Sequence, residues 1–246
     1  MSIQSDSDLA GLRAAGRIVR LMLDAMREAL RPGITTGELD LIAGRILREH
    51  DARSAPKLVY GFPGDACISV NEEAVHGIPG ERVIEAGDLV KLDVTVEKNG
   101  YMADAAITVA VPPVDDQRLH LIRTARSAFY RGMAAARAGR RVRDIGRAVE
   151  KHVRGEGFSV IRELGGHGIG RSIHEEPSVP NFAAPDNGVR LSDGLVITIE
   201  PIIAALSGRV IEESDGWTIR TRDRSPVAHF EQTIVITRNM PIILTA

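Results

Sequence analysis

Hydrophobic positions along the chain follow two rhythms. From about Asp8 to Leu30, Leu12, Ala15, Val19, Met22 and Met26 recur at three- and four-residue spacing, which predicts an amphipathic helix ended by Arg31-Pro32-Gly33. Thr35-Thr36-Gly37-Glu38 reads as a capping box for a second helix with Leu39, Ile42, Ala43, Ile46 and Leu47 inward. The same rhythm returns from about Asp116 to Ala138 and from Val142 to Glu156. Elsewhere the pattern shortens to β-branched runs. These predict strands at Cys67 to Asn71, Leu89 to Glu97, Tyr101 to Val109, about Val160 to Leu164, Leu195 to Ile203, Trp217 to Thr221 and Glu231 to Thr237.

The second helical pair echoes the first. The stretch from Pro32 to Leu39 can be laid over that from Ala138 to Ile145, and each pair leads into strands. Nothing rich in Pro, Gly or Ser is long enough to separate domains. The simplest reading is one α+β domain over residues 1–246, with two pseudo-symmetric αβ halves of about 8–112 and 113–246. A site fed by both halves would lie between them, where pockets tend to form.

Composition narrows the class without naming a chemistry. The chain has 246 residues, 43% hydrophobic and 26% charged, with net charge −2, the profile of a soluble globular protein. That balance gives no reason to expect nucleic acid or membrane as a partner. The single cysteine, Cys67, excludes an intrachain disulfide and fits a reducing compartment. Met1 to Asp8 lacks the basic start and apolar core of a signal peptide. No stretch approaches the roughly 18 apolar residues of a membrane span. The cytoplasm is the expected location.

The informative residues are carboxylates in apolar surroundings. Asp93, Asp104, Glu200 and Glu231, with His167, fall in segments that read as strands or strand ends. Ionised carboxylates there are costly unless something positive neutralises them. Two divalent cations would do so, and oxygen-rich ligation with one nitrogen suits hard or borderline metals. Asn99-Gly100 is a strong hairpin signal. With that turn, Thr95 pairs with Asp104 and Asp93 pairs with Ala106. The two aspartates then share a face as diagonal neighbours, with Cβ atoms roughly 7 Å apart. Taken alone, such a pair belongs more often to the solvated face of an ordinary hairpin.

Other segments add candidates. Gly165-Gly166-His167-Gly168 and His174 form a glycine-rich stretch holding two histidines, and glycines allow close approach of backbone and ligand. A lone histidine there is more often a satisfied turn residue. His76, in His76-Gly77-Ile78-Pro79, reads by itself as a turn histidine. Ile199-Glu200-Pro201 ends an apolar strand on a carboxylate suited to general-base work.

Taken in order, five motifs resemble those of the methionine aminopeptidases of the short bacterial type, with their creatinase-like pita-bread fold. They are Cys67 to Asn71 through His76-Gly77-Ile78-Pro79; the Asp93/Asp104 hairpin; Gly166-His167-Gly168 through His174 and Pro177; Thr198-Ile199-Glu200-Pro201; and Phe230-Glu231-Gln232-Thr233. The resemblance implies a metalloprotease that removes the initiator methionine from nascent polypeptides when the second residue is small. It implies two divalent cations, with cobalt, manganese, iron or zinc left open. Asp93 would hold one ion, His167 and Glu200 the other, and Asp104 and Glu231 would bridge both. Glu200 would also carry a proton to the leaving amine, His174 would touch the substrate oxygen, and His76 would lie near the scissile amide. The methionine slot would map to Phe62, Cys67 and Trp217, with Val59 and Ile173 nearby; for Phe62 and Trp217, core packing is the competing reading. A monomer is expected, with at most a transient association with the ribosome.

The motifs depart from the family at four points. Gln232 follows the last ligand where histidine is common, and His229 lies two residues before it. Val59 stands where tyrosine is common, and Ile173 replaces an aromatic residue. A proline-directed peptidase and a non-catalytic binding module are the alternative readings.

Overall fold

The computed structural model describes residues 1–185 and 188–246. Its helices are α1 (Asp6–Ala29), α2 (Thr36–Glu49), α3 (Ala55–Tyr60), α4 (Asp116–Ala135) and α5 (Val142–Gly155). The strands of the first part are β1 (Arg53–Ser54), β2 (Cys67–Val70), β3 (Glu73–Val75), β4 (Leu89–Lys98) and β5 (Tyr101–Ala110). Those of the second are β6 (Ser159–Val160), β7 (Gly165–Gly168), β8 (Glu175–Pro180), β9 (Val196–Ile199), β10 (Ile202–Ala204), β11 (Val210–Glu212), β12 (Ile219–Thr221), β13 (Val227–His229), β14 (Glu231–Val235) and β15 (Ile242–Ile243).

Local chemistry explains the helix ends. Ser5 caps α1 by accepting from the Asp8 amide, so the helix starts slightly earlier than its apolar stripe. Thr35 and Glu38 form the expected capping box of α2. α4 stops at Ala135 rather than about Ala138, where the Ala136 amide closes a tighter turn onto Met133. The short helix α3 was not predicted, because six residues carry too little periodicity to register. Pro56 sits in its first turn, and Gly61, at φ +73°, ends it in the left-handed region.

The large sheet runs β1-β4-β5-β14-β9-β7-β8, with β2 added to β4 and β15 to β14. All its pairings are antiparallel. α1 and α2 cover one face of β4 and β5, burying Val19, Met22, Leu92, Val94 and Ala105 in one core. Phe129, Met133 and Ile145 of α4 and α5 pack with Ile197, Ile199 and Ile234 of β9 and β14. α1, α2, α4 and α5 therefore all place apolar residues against this side of the sheet. The opposite side is left to the polar members of the same strands, because successive side chains alternate faces.

The Asn99-Gly100 hairpin has the register read from its turn: Thr95 faces Asp104, and Asp93 faces Ala106. The segment Leu195 to Ile203 is not one strand as expected. It breaks at Glu200-Pro201, since proline has no amide to continue the ladder. β9 stays in the large sheet, while β10 moves to a small sheet, β13-β10-β6. The chain makes the reverse crossing at Phe230, between β13 and β14. The two crossings lie side by side, with the Phe230 amide donating to the Pro201 carbonyl. Glu200 and Glu231 thus both stand where the sheets diverge. The expected strand from Val160 to Leu164 is also shorter, reduced to Ser159–Val160 beside β10. A second small sheet, β11-β12-β3, brings the Trp217 segment next to the His76 turn.

Between β8 and β9, β7 has no room for side chains at Gly166 and Gly168. A Cβ on Gly166 would lie 2.5 Å from the Thr198 carbonyl oxygen, and one on Gly168 would press into the Glu176 carbonyl. His167 is held between them. Replacing Gly166 by Ala is expected to lower stability by about 2 kcal/mol, the scale of overpacking in a tight core. Urea unfolding checks this; an unchanged midpoint would show that β7 can slide aside.

Candidate metal centre and its cavity

One cavity of about 230 Å³ collects most of the predicted residues: Asp93, Asp104, His167, Glu200 and Glu231 at its floor, His76 and His174 nearer its mouth, and Phe62, Cys67, Ile173 and Trp217 along its walls. Asp104 and Glu231 are only 6% and 2% exposed. β4 and β5 contribute the two aspartates from one face of the hairpin, and the sheet crossings contribute the two glutamates.

The floor is electrostatically strained. Burial pushes the Asp104, Glu200 and Glu231 carboxyls well above the usual carboxylate range, and repulsion from the neighbouring carboxylates adds to it. Asp93 moves in the same direction, chiefly through burial. Oδ1 of Asp104 and Oε1 of Glu231 are buried and accept no hydrogen bond. Side-chain hydrogen bonds to the backbone hold the floor: the Asp104 amide donates to Thr233 Oγ1 at 2.9 Å, and that hydroxyl donates to the Asp104 carbonyl at 2.8 Å. Asn181 Nδ2 donates to the Glu200 carbonyl at 2.8 Å.

His167 is oriented for a lone pair to face the carboxylates. Its amide donates to Thr198 Oγ1, and its Nδ1 lies 2.9 Å from the Gly168 carbonyl, so Nδ1 carries the proton. Nε2 then points at the floor, 3.9 Å from Asp104 Oδ2. Burial, reinforced by His174, lowers its pKa to about 4, so the ring is neutral near pH 7. Two sets of three ligand atoms each lie within 4.8 Å of one another: Asp104, His167 and Glu231, and Glu200, His229 and Glu231. Oxygen-rich donors with imidazole, acceptors without partners and a neutral histidine fit divalent cations of the borderline first-row class.

Above the floor, Phe62 and Trp217 meet edge to face at 5.2 Å. Cys67 is directly opposite Asp93 in the β2–β4 ladder; burial and then Asp93 raise its thiol pKa well above normal, so it stays protonated. Ile173 is 4% exposed and closes the same wall. Val59 does not line the cavity. The segment is helical rather than extended, so consecutive side chains point about 100° apart, and Val59 is turned outward at 46% exposure. Its neighbour Tyr60 lines the cavity instead, with its hydroxyl 2.6 Å from His174 Nδ1. Sequence reading missed Tyr60, and the missing signal was the α3 helix.

The two departures around the last candidate ligand point in opposite directions. Gln232 lies in β14 and accepts from Thr245 Oγ1 at 2.8 Å, away from the floor. His229 lies at the floor, with Nε2 3.4 Å from Glu231 Oε2 and 3.6 Å from Glu200 Oε2.

Comparison with known proteins bears on the whole chain. Residues 10–238 match the profile of metallopeptidase family M24. Methionine aminopeptidase 2 of Bacillus subtilis (strain 168) is 45% identical over 100% of this chain and 99% of its own length. Methionine aminopeptidase of Clostridium perfringens (strain 13 / Type A) is 41% identical over 99% of this chain and 98% of its own. The crystal structure of methionine aminopeptidase from Thermotoga maritima superposes with a TM-score of 0.96 at 36% identity, covering 100% of this chain and 99% of that one. Prolidase from Pyrococcus furiosus, at 21% identity and TM-score 0.80, shares the fold and extends beyond it, this chain covering 65% of its length. The architecture is therefore the α+β pita-bread fold expected from the motifs. With its matched profile, full-length relatives and a cavity floored by carboxylates and imidazoles, this chain belongs to metallopeptidase family M24 and is a hydrolase of peptide bonds.

Proposed function

We propose that the chain removes methionine from the N-termini of nascent polypeptides, using two divalent cations held by Asp93, Asp104, His167, Glu200 and Glu231. The observation that carries this reading is the convergence of four carboxylates on one buried floor, beneath an apolar slot closed by an aromatic pair. Bound divalent cations supply a water acidified toward neutral pH and positive charge against the scissile carbonyl. Manganese, iron, cobalt and zinc all suit the donor set. The residues of the chain do the rest. Glu200 takes a proton at the floor and returns it to the leaving amine. His174 Nε2 faces the substrate oxygen, while the Tyr60 hydroxyl fixes its Nδ1. Phe62, Cys67, Ile173 and Trp217 hold the flexible thioether side chain. His76, at φ +59° in the turn before Gly77, stands at the mouth, where the peptide nitrogen would pass.

The whole chain acts as one catalytic unit in this reading. Residues of about 8–112 give Asp93 and Asp104, and those of about 113–246 give His167, Glu200 and Glu231. No helix among the described residues is long and apolar enough to cross a membrane.

Three outcomes are expected. Replacing Glu200 by Gln should lower kcat at least ~100-fold while far-ultraviolet circular dichroism is unchanged, the scale of lost general acid–base catalysis; near-normal turnover would remove Glu200 from proton transfer. With Mn(II), Fe(II) or Co(II) restored to stripped enzyme, free methionine should be released from Met-Ala-Ser, with little cleavage of Met-Leu-Ser or Leu-Ala-Ser. Cleavage of Xaa-Pro peptides instead would favour a proline-directed enzyme, and no cleavage with any metal a binding module. The third outcome concerns pH. The raised carboxyl pKa values mean that the metal-free native chain keeps protons the unfolded chain has released above about pH 4. Stability of the metal-free chain should therefore fall as pH rises from 5 to 8, and Glu231→Gln should reduce that fall. A melting temperature indifferent to pH in the metal-free protein would contradict the shared burial of these groups.

A further inference from the structure

His229 has no role in the five-residue set, yet it is placed as a ligand would be. It is the last residue of β13, 1% exposed, at the crossing that leads to Glu231. Neither ring nitrogen has a hydrogen-bond partner, although a buried polar group normally finds one. Nε2 is within 3.4–3.6 Å of both Glu231 Oε2 and Glu200 Oε2, just beyond good hydrogen-bond range. His167 reaches the same floor from β7, beside Asp104.

The two clusters are matched in kind. Each has one imidazole and two carboxylates, and Glu231 belongs to both. The five-residue set gives a nitrogen to one ion and only oxygen to the other. We propose that His229 Nε2 is a second nitrogen ligand, added to the divalent cation that Glu200 and Glu231 hold. The proposal rests on the dinuclear reading above and adds a sixth donor residue to it. A competing arrangement makes His229 a hydrogen-bond donor that only positions the two carboxylates. The ligand arrangement has a consequence that the donor arrangement lacks. A second nitrogen shifts the centre toward borderline metals and away from oxygen-preferring Mg(II) and Ca(II).

The test uses the full chain stripped of metal and loaded with two equivalents of Co(II). Proton NMR in water and in heavy water identifies hyperfine-shifted, solvent-exchangeable imidazole N–H signals. Two are expected in the wild type, with one lost in His229→Gln and the other lost in His167→Ala. Isothermal titration should also show the weaker Co(II) step falling 10–100-fold further in His229→Gln. One shifted N–H signal in the wild type, retained in His229→Gln and lost in His167→Ala, overturns the proposal. Should His229→Gln fail to fold, pulsed electron paramagnetic resonance of the wild type, labelled with ¹⁵N-histidine and loaded with Mn(II), decides instead. Couplings from two imidazoles support the ligand and a coupling from one overturns it. Peptide hydrolysis is followed on the same wild-type sample. Turnover with a single imidazole signal sinks His229 and leaves the peptidase reading standing; two signals without turnover do the reverse.

Discussion

Four carboxylates share one buried floor, and they cannot all be ionised there unless positive charge is supplied. That constraint organises the rest of the structure. Burial and mutual repulsion raise the pKa values of Asp104, Glu200 and Glu231, so the metal-free floor holds its protons. The remainder of the chain must keep these groups together against that repulsion. It does so with the large antiparallel sheet, whose apolar face is sealed by α1 and α2 at one end and by α4 and α5 at the other.

The opposite face carries a polar row along β4. Lys91, Asp93, Thr95 and Glu97 alternate with Val90, Leu92, Val94 and Val96, which face the helices. Lys91 is 1% exposed, and its ammonium donates to the Asn71 carbonyl at 2.7 Å and more weakly to that of Leu89 at 3.4 Å. Burial lowers its pKa to about 7. The Asn71 carbonyl also accepts from the Val227 amide, so the turn before His76 and the strand that ends on His229 are tied at one atom. Glu97, further along the row, is neutralised by Arg53 at 2.6 Å. The members of the row outside the carboxylate floor thus find protein partners, whereas Asp104 and Glu231 keep unpartnered oxygens.

The slot above the floor is built from segments distant in sequence. α3 brings Tyr60 and the turn after it brings Phe62, while Trp217 comes from the start of a small sheet in the second half of the chain. The apolar slot and the charged floor meet at Cys67, which pairs with Asp93 in the ladder and keeps a protonated, compact thiol. One cavity thereby joins an apolar end to a strongly charged end.

The sequence alone determined the four long helices, the Asn99-Gly100 hairpin and the register that puts Asp93 and Asp104 on one face. Those features rest on local rules: a period of 3.6 or 2, a capping box, a two-residue turn. It also singled out the five carboxylate and imidazole residues, because charge in an apolar strand is costly wherever the strand lies. Tertiary structure decided the rest. The break at Glu200-Pro201 and the crossing at Phe230 depend on which sheet each segment joins, and pairing between distant segments leaves no mark in local periodicity. Tyr60 rather than Val59 reaches the cavity because six residues coil into a helix docked on β1 and β4. Gln232 and His229 stand on either side of Glu231 in the chain and looked equivalent as departures. Only the crossing between two sheets turns one toward Thr245 and sets the other against the carboxylates.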